Sequence, residues 1–160
     1  MTIEQLDHYS LRTANVERSV GFYGHAMGLR RGARPPFNFP GAWLYRTTAD
    51  GEVTGGAVVH IIGIDPNDAH GLTDYLGDKA FTGAPGSGAL DHIAFAASNI
   101  ADMYARLALH GIGFRQRRVP NMALHQIFID DPDGITIELN YAQPRDIAAG
   151  QASMAAVAGA

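Results

Sequence analysis

The chain has no cysteine. That excludes a disulfide framework and every thiolate metal ligand, and by itself it leaves the compartment open. Lysine is almost missing as well: of twelve basic residues only Lys79 is a lysine. A formal net charge of -4 with no basic run gives none of the electrostatic footprint of a nucleic-acid-binding protein. No apolar run nears the roughly 18 residues of a membrane span, and the N-terminus lacks the basic and apolar regions of a signal peptide. Nucleic acid and membrane are therefore not expected partners, and a cytoplasmic location is expected. What is present is globular: 160 residues, 46% hydrophobic and 18% charged, enough for one compact fold with a proper core.

The chain says one thing twice. Leu90-Asp91-His92-Ile93-Ala94-Phe95 repeats the pattern of Leu6-Asp7-His8-Tyr9-Ser10-Leu11, 84 positions earlier. In both, an apolar residue and an aspartate precede a histidine, and an alternating, strand-like run follows. Asn15-Val16 and Asn99-Ile100 continue the match, each ahead of a helical pattern. Self-similarity at a fixed offset predicts two copies of one supersecondary unit.

Each copy reads as β-α-β-β-β. In the first, residues 3–62, a strand over Ile3–Arg12 leads to a helix capped by Thr13 or Asn15, with Val16, Val20, Phe22, Tyr23 and Met27 on its buried stripe and Gly28 at its end. Strands follow over Arg30–Ala33, Ala42–Thr47 and Val58–Ile62. The proline-rich aromatic stretch 34–41 between them reads as a loop. Residues 63–88 form a connecting segment with a helical turn near Leu72–Leu76. In the second copy, residues 89–141, the order recurs: a strand over Leu90–Ala97, a helix capped by Asn99 that stops near Gly111, strands over Phe114–Val119 and Leu124–Ile129, the turn Asp131-Pro132-Asp133-Gly134, and a last strand over Ile135–Tyr141. Residues 142–160, rich in Ala, Gly and Ser, read as a flexible C-terminal tail. The fold class is α+β. Two βαβββ modules in a pseudo-twofold arrangement would form a cup-shaped mixed sheet with the helices outside.

The chemistry follows from the repeat. His8 and His92 occupy matching places on first strands, and His60 stands on the last strand of copy one where Glu138 stands in copy two. Strand parity sets these four opposite an apolar face, so they can converge in the concavity of the cup. A lone strand histidine is more often structural, but four such residues at symmetric positions point to a metal site. Imidazole with carboxylate is a borderline set suited to Fe(II), Mn, Ni, Co or Zn, and two histidines plus a carboxylate also suit non-haem iron oxygen chemistry. His60 is either a fourth ligand or an acid/base beside the metal. His125 is a candidate general acid or base near neutral pH, or else a surface histidine; parity leaves open whether His125 or Gln126 faces the cup. Arg12 shares the face of His8 and can pair with a substrate carboxylate. Phe37, Phe39, Trp43 and Tyr45 either wall an apolar substrate pocket or pack a core or dimer contact. His25, His70 and His110 read as surface residues.

These residues resemble the vicinal oxygen chelate superfamily, which contains glyoxalase I, extradiol dioxygenases, methylmalonyl-CoA epimerase, and fosfomycin and bleomycin resistance proteins. The likeness is carried by Leu6-Asp7-His8, Ser19-Val20-Gly21-Phe22-Tyr23 with Gly28-Leu29, Leu90 to Phe95, and the run from Phe128 to Leu139, and it spans most of residues 3–141. It implies paired modules around one divalent metal that chelates vicinal oxygens of a small-molecule substrate, with His8, His92 and Glu138 as ligands and His60 in the fourth place. It also implies a homodimer, in which each cup is built within one chain or by module exchange. Glyoxalase I usually has a glutamate at the fourth place, so His60 points away from that reaction. Metal-free bleomycin-binding members lack the ligands that this chain retains. The reading is a metal-dependent lyase, isomerase or ring-cleaving dioxygenase, with a small-molecule sequestering protein as the alternative.

Overall fold

In the computed structural model, residues 6–64, 92–119 and 122–158 are described. The chain separates into two compact units, Met1–Ala84 and Pro85–Ala160. Strand β1 of the first unit is Tyr9–Thr13, which alternates and turns Leu11 and Thr13 inward. Helix α1, Val16–Met27, starts at Asn15, whose Oδ1 accepts from the Arg18 amide at 3.0 Å. It ends at Gly28 in the left-handed region with φ 68°. The fully buried line of α1 is Ser19, Tyr23 and Ala26, whereas Val16, Val20, Phe22 and Met27 are half-buried. Small residues on that line bring the helix close to the sheet, and two polar ties fix it: Ser19 Oγ donates to Thr13 Oγ1 at 3.2 Å, and the Tyr9 hydroxyl donates to that of Tyr23 at 2.9 Å.

Strands β2 (Arg30–Arg31), β3 (Gly41–Thr47) and β4 (Val53–Gly63) complete a sheet of order β1-β4-β3-β2. The second strand is shorter than expected from the sequence. β4 is longer, because its start crosses irregular pairing with β3 around Leu44–Arg46, which the alternation pattern does not register.

The second unit repeats this plan. β5 (Ile93–Ala97), α2 (Ile100–Leu109), β6 (Arg115–Arg118), β7 (His125–Asp130) and β8 (Thr136–Tyr141) form a sheet of order β5-β8-β7-β6. First and last strands pair in parallel in both units, and in the same register: Tyr9 faces Val59 as Ile93 faces Ile137, and Ser10 faces His60 as Ala94 faces Glu138. The duplication is thus structural, down to single residues. The turn before β8 is built as its sequence demands, with Asp131 Oδ1 accepting from the amides of Asp133 and Ile135 and Gly134 at φ 80°. Leu90, Asp91, His70 and the turn expected near Leu72–Leu76 lie outside the described residues.

Two expectations are corrected here. The stretch read as a flexible tail forms helix α3, Pro144–Ala158, packed on α2, β6 and β7. And Asn99 does not cap α2 with its side chain: it sits in the left-handed region at φ 63°, while buried Asp146 of α3 accepts from the amides of Asn99 (3.2 Å) and Ile100 (3.0 Å). One carboxylate therefore ties α3 to the start of α2 and supplies the cap of α2, with the added favour of a negative charge at a helix N-terminus.

In both units the helix-facing side of the sheet is apolar: Leu11, Leu44, Val59 and Ile61 in one, Ile93, Ile127, Ile129, Ile137 and Leu139 in the other. The opposite faces carry His60 and Glu138. Among the described residues no helix is long and apolar enough to cross a membrane.

Candidate metal-donor pairs

Parallel pairing of first and last strands brings two donors together in each unit. In the first unit His8 lies just ahead of β1, and its ring stacks on His60 with centroids 3.7 Å apart and planes 24° from parallel. His8 Nδ1 is 2.6 Å from Asp7 Oδ2 and donates to that carboxylate; in the neutral ring this arrangement makes Nε2 the lone-pair nitrogen, available to a metal. Trp43, the cross-strand partner of His60, stacks on its other side at 4.1 Å and 3°. His60 is therefore sandwiched between two rings. Burial pushes its imidazole below the ordinary histidine range, the adjoining His8 pushes the same way, and Asp7 opposes. A neutral imidazole is the form that binds a metal or accepts a proton.

In the second unit His92 lies just ahead of β5, and its Nε2 is 3.5 Å from Glu138 Oε2. Two donors about 2.1 Å from one ion in tetrahedral array stand about 3.4 Å apart, so this pair has the spacing of a shared ion. The other oxygen of Glu138 accepts from Asn140 Nδ2 at 2.7 Å. Asn140 Oδ1 in turn accepts from Gln126 Nε2 at 2.9 Å, and Gln126 Oε1 accepts from Arg117 Nε at 2.7 Å. A relay of three hydrogen bonds across β8, β7 and β6 thus orients the carboxylate and leaves Oε2 toward His92. Phe128, the cross-strand partner of Glu138, meets His92 edge to face at 6.5 Å.

Among the described residues no group of three or more metal-type side chains gathers at one point; each unit holds one pair. The remaining candidates divide. Gln126 lies on the Glu138 face, within the relay. His125 does not: it is fully buried on the opposite face, under α3, where Nε2 is 3.2 Å from Gln116 Oε1 and 3.4 Å from the Tyr104 hydroxyl. The expectation that His125 serves as acid or base beside the metal donors is corrected, because adjacent strand residues point to opposite faces and α3 selects the buried one.

Phe37 and Phe39 stack at 5.2 Å, with Phe37 6.3 Å from Trp43 and the Arg34 guanidinium 4.9 Å from both phenyl rings. Phe39 is buried with Ile62 and Ile64, which makes it core; Phe37 is exposed. Tyr45 is spent on structure, its hydroxyl donating to Ala33 O at 2.6 Å. Arg12 is exposed on the His60 face, at the Ile62 end of the strand pair and about 13 Å of strand beyond His8. Sequence reasoning missed Asp7 and the Asn140–Arg117 relay as orienting groups. The aspartate ahead of each histidine and the i, i+2 spacing of Glu138 and Asn140 were the available signals.

Two βαβββ modules in one register, each with a pair of metal-type donors where its first and last strands meet, define an α+β protein of the paired-module class. The family model of the Glyoxalase/Bleomycin resistance protein/Dioxygenase superfamily matches residues 5–139, and the chain belongs to that superfamily. Solved structures share the fold. A glyoxylase/bleomycin resistance protein/dioxygenase domain from Frankia gives a TM-score of 0.61 at 16% identity, covering 89% of this chain and 100% of that one. Lactoylglutathione lyase from Agrobacterium tumefaciens gives 0.57 at 16%, covering 88% and 96%. A fosfomycin resistance protein from Listeria monocytogenes gives 0.55 at 14%, covering 91% and 99%. At these identities the likeness speaks for the fold alone. No curated protein matches the sequence.

Proposed function

We propose that the protein is a metal-dependent enzyme of the glyoxalase/dioxygenase type, acting on a small oxygenated substrate that chelates through vicinal oxygens. The observation that carries this reading is the shared register, which puts His8 with His60 and His92 with Glu138 at equivalent places in the two units. His8, His92 and Glu138 would serve as metal donors, with His60 as a further donor or as the group that moves a proton. When bound, the ion would supply Lewis acidity to an enolate or enediolate, or oxygen activation if it is iron. The chain does the rest: Asp7 fixes the tautomer of His8, Asn140 holds Glu138 by one oxygen, and neutral His60 can accept a proton from the substrate. That lyases and antibiotic-resistance proteins share the fold suits this reading.

Elemental mass spectrometry of protein purified without added metal or chelator tests it. Bound metal is expected, and it should be lost in His92→Ala and Glu138→Ala; unchanged content in both variants sinks the site. Iron would favour ring-cleaving oxygenase chemistry, checked by oxygen consumption with catechols, while zinc, nickel or cobalt would favour a lyase or isomerase. A second reading, a sequestering protein, draws on the stacked rings Trp43–His60–His8 with Phe37 tilted beside them, an aromatic surface for a flat ligand. Tight binding of candidate ligands without turnover by the metal-loaded protein would select it. We further propose a homodimer, to be measured by light scattering.

A further inference from the structure

One cavity on the second unit holds more positive charge than a metal-donor pair needs. It measures about 290 Å³ and is lined by His92, Arg115, Arg117, Phe128, Thr136 and Glu138. We propose that Arg115 and Arg117 make it a receptor for an oxyanion, so that the substrate carries a carboxylate or phosphate-type group beside its chelating oxygens. The proposal rests on the metal reading only for those chelating oxygens.

Four observations support it. Arg115 and Arg117 stand two apart on β6 and so share a face, and both guanidinium groups lie over the Phe128 ring, at 5.0 and 5.4 Å. Contact with the ring favours conformers in which both exposed guanidinium groups stay beside the cavity, which reduces the entropy lost when a ligand binds. Neither arginine pairs with Glu138: that carboxylate is engaged by Asn140 and faces His92. Arg117 uses Nε on Gln126, and Arg115 makes no hydrogen bond or ion pair among the described residues, so most donors of two planar forks remain for a ligand. Finally, two guanidinium groups outweigh one carboxylate here, in a chain whose formal net charge is -4. A local positive field in a half-open cleft attracts a small anion and offsets its repulsion by Glu138. Arg118, next in sequence, points to the other face and does not line the cavity. It serves as the control.

The test is calorimetric titration of the metal-stripped full chain with inorganic phosphate and, separately, oxalate at low salt. At least one probe should bind, and the stronger of the two assigns the group as phosphate-type or carboxylate. Arg115→Gln and Arg117→Gln should each weaken binding about tenfold, and Arg118→Gln should leave it unchanged. Failure of both probes to bind, or equal binding by wild type and the Arg115→Gln/Arg117→Gln double variant, overturns the proposal. Zinc titration keeps the two readings apart: zinc affinity should survive Arg115→Gln and fall in Glu138→Gln. Undiminished zinc affinity in Glu138→Gln would remove the metal reading and leave the oxyanion result standing.

Discussion

The two units build the same corner and secure it by different means. At one register position the first unit has His60 opposite Ser10, and the second has Glu138 opposite Ala94. His60 is held by ring faces, between Trp43 and His8. Glu138 is held by hydrogen bonds, through Asn140 and Gln126 to Arg117. The difference follows from the chemistry of the donor. An imidazole has apolar faces that stacking can grip, whereas a carboxylate has only lone pairs and, at 7% exposure, must have them satisfied. The two copies thus share a backbone register and differ in the support that each side chain requires.

If both pairs are metal donors, the carboxylate is the ligand whose loss hurts most. Glu138→Ala is expected to weaken zinc binding at least a hundredfold, with His60→Ala smaller, since His60 stands in the place where a donor or a proton carrier would both fit. Equal losses would make the two corners equivalent and remove the distinction drawn between them. One step outward, Asn140→Ala should weaken zinc affinity about tenfold or more by freeing a buried carboxylate, in the range usual for groups that orient a ligand. Asp7→Ala should cost only a few-fold, because the Asp7 side chain is 81% exposed and water can replace it. The reverse order would show that the first unit, not the second, sets the geometry.

How much of this was legible in the sequence depended on whether the signal was local. Alternation and capping residues located α1, β3, β7 and β8, and the repeated Asp-His phrase located the two histidines just ahead of β1 and β5, because those signals lie within a few residues. What escaped depended on distant partners. Asn99 has the right residue type for a cap, yet the cap comes from Asp146, 47 positions on. The same contact ties the Ala- and Gly-rich stretch that forms α3 to α2. His125 and Gln126 are both polar, so parity could not orient β7 until α3 claimed the His125 face. Among the described residues the first unit has no counterpart of α3, and repeat logic alone would not add one.

Helix α3 also sets a stability limit at Gly150. A Cβ at Gly150 would lie 2.5–2.6 Å from ring atoms of His125. Alanine in a helix interior ordinarily gains about 1 kcal/mol over glycine. Here Gly150→Ala should instead destabilise the second unit by about 1–2 kcal/mol in denaturant unfolding, because the buried ring has no room to yield. A stabilised variant would mean that α3 is packed more loosely than this. His125 also sets a pH dependence. Burial holds its imidazole below the ordinary value of about 6.5, so the unfolded chain takes up the proton first. Its contribution to stability is thus complete above about pH 6.5 and declines as the pH falls below it. His125→Gln should flatten that acid limb, and an unflattened limb would assign it elsewhere.

The smallest effect reads the first unit alone. Trp43 is the chain's single tryptophan, and it lies 4.1 Å from the His60 ring with nearly parallel planes. Protonation of His60 puts an imidazolium against the indole, which quenches its emission. His60 is held below the ordinary range, chiefly by burial, so in metal-stripped protein the emission should fall only at a pH below about 6.5. His60→Ala should abolish the step, and His125→Gln should not touch it, which separates the two lowered histidines by unit. Zinc then decides the role left open at this position. A metal-bound nitrogen competes with the proton, so ligation moves the quenching step to still lower pH. A step that stays in place while zinc binds would make His60 the proton carrier and Glu138 the only donor from a last strand.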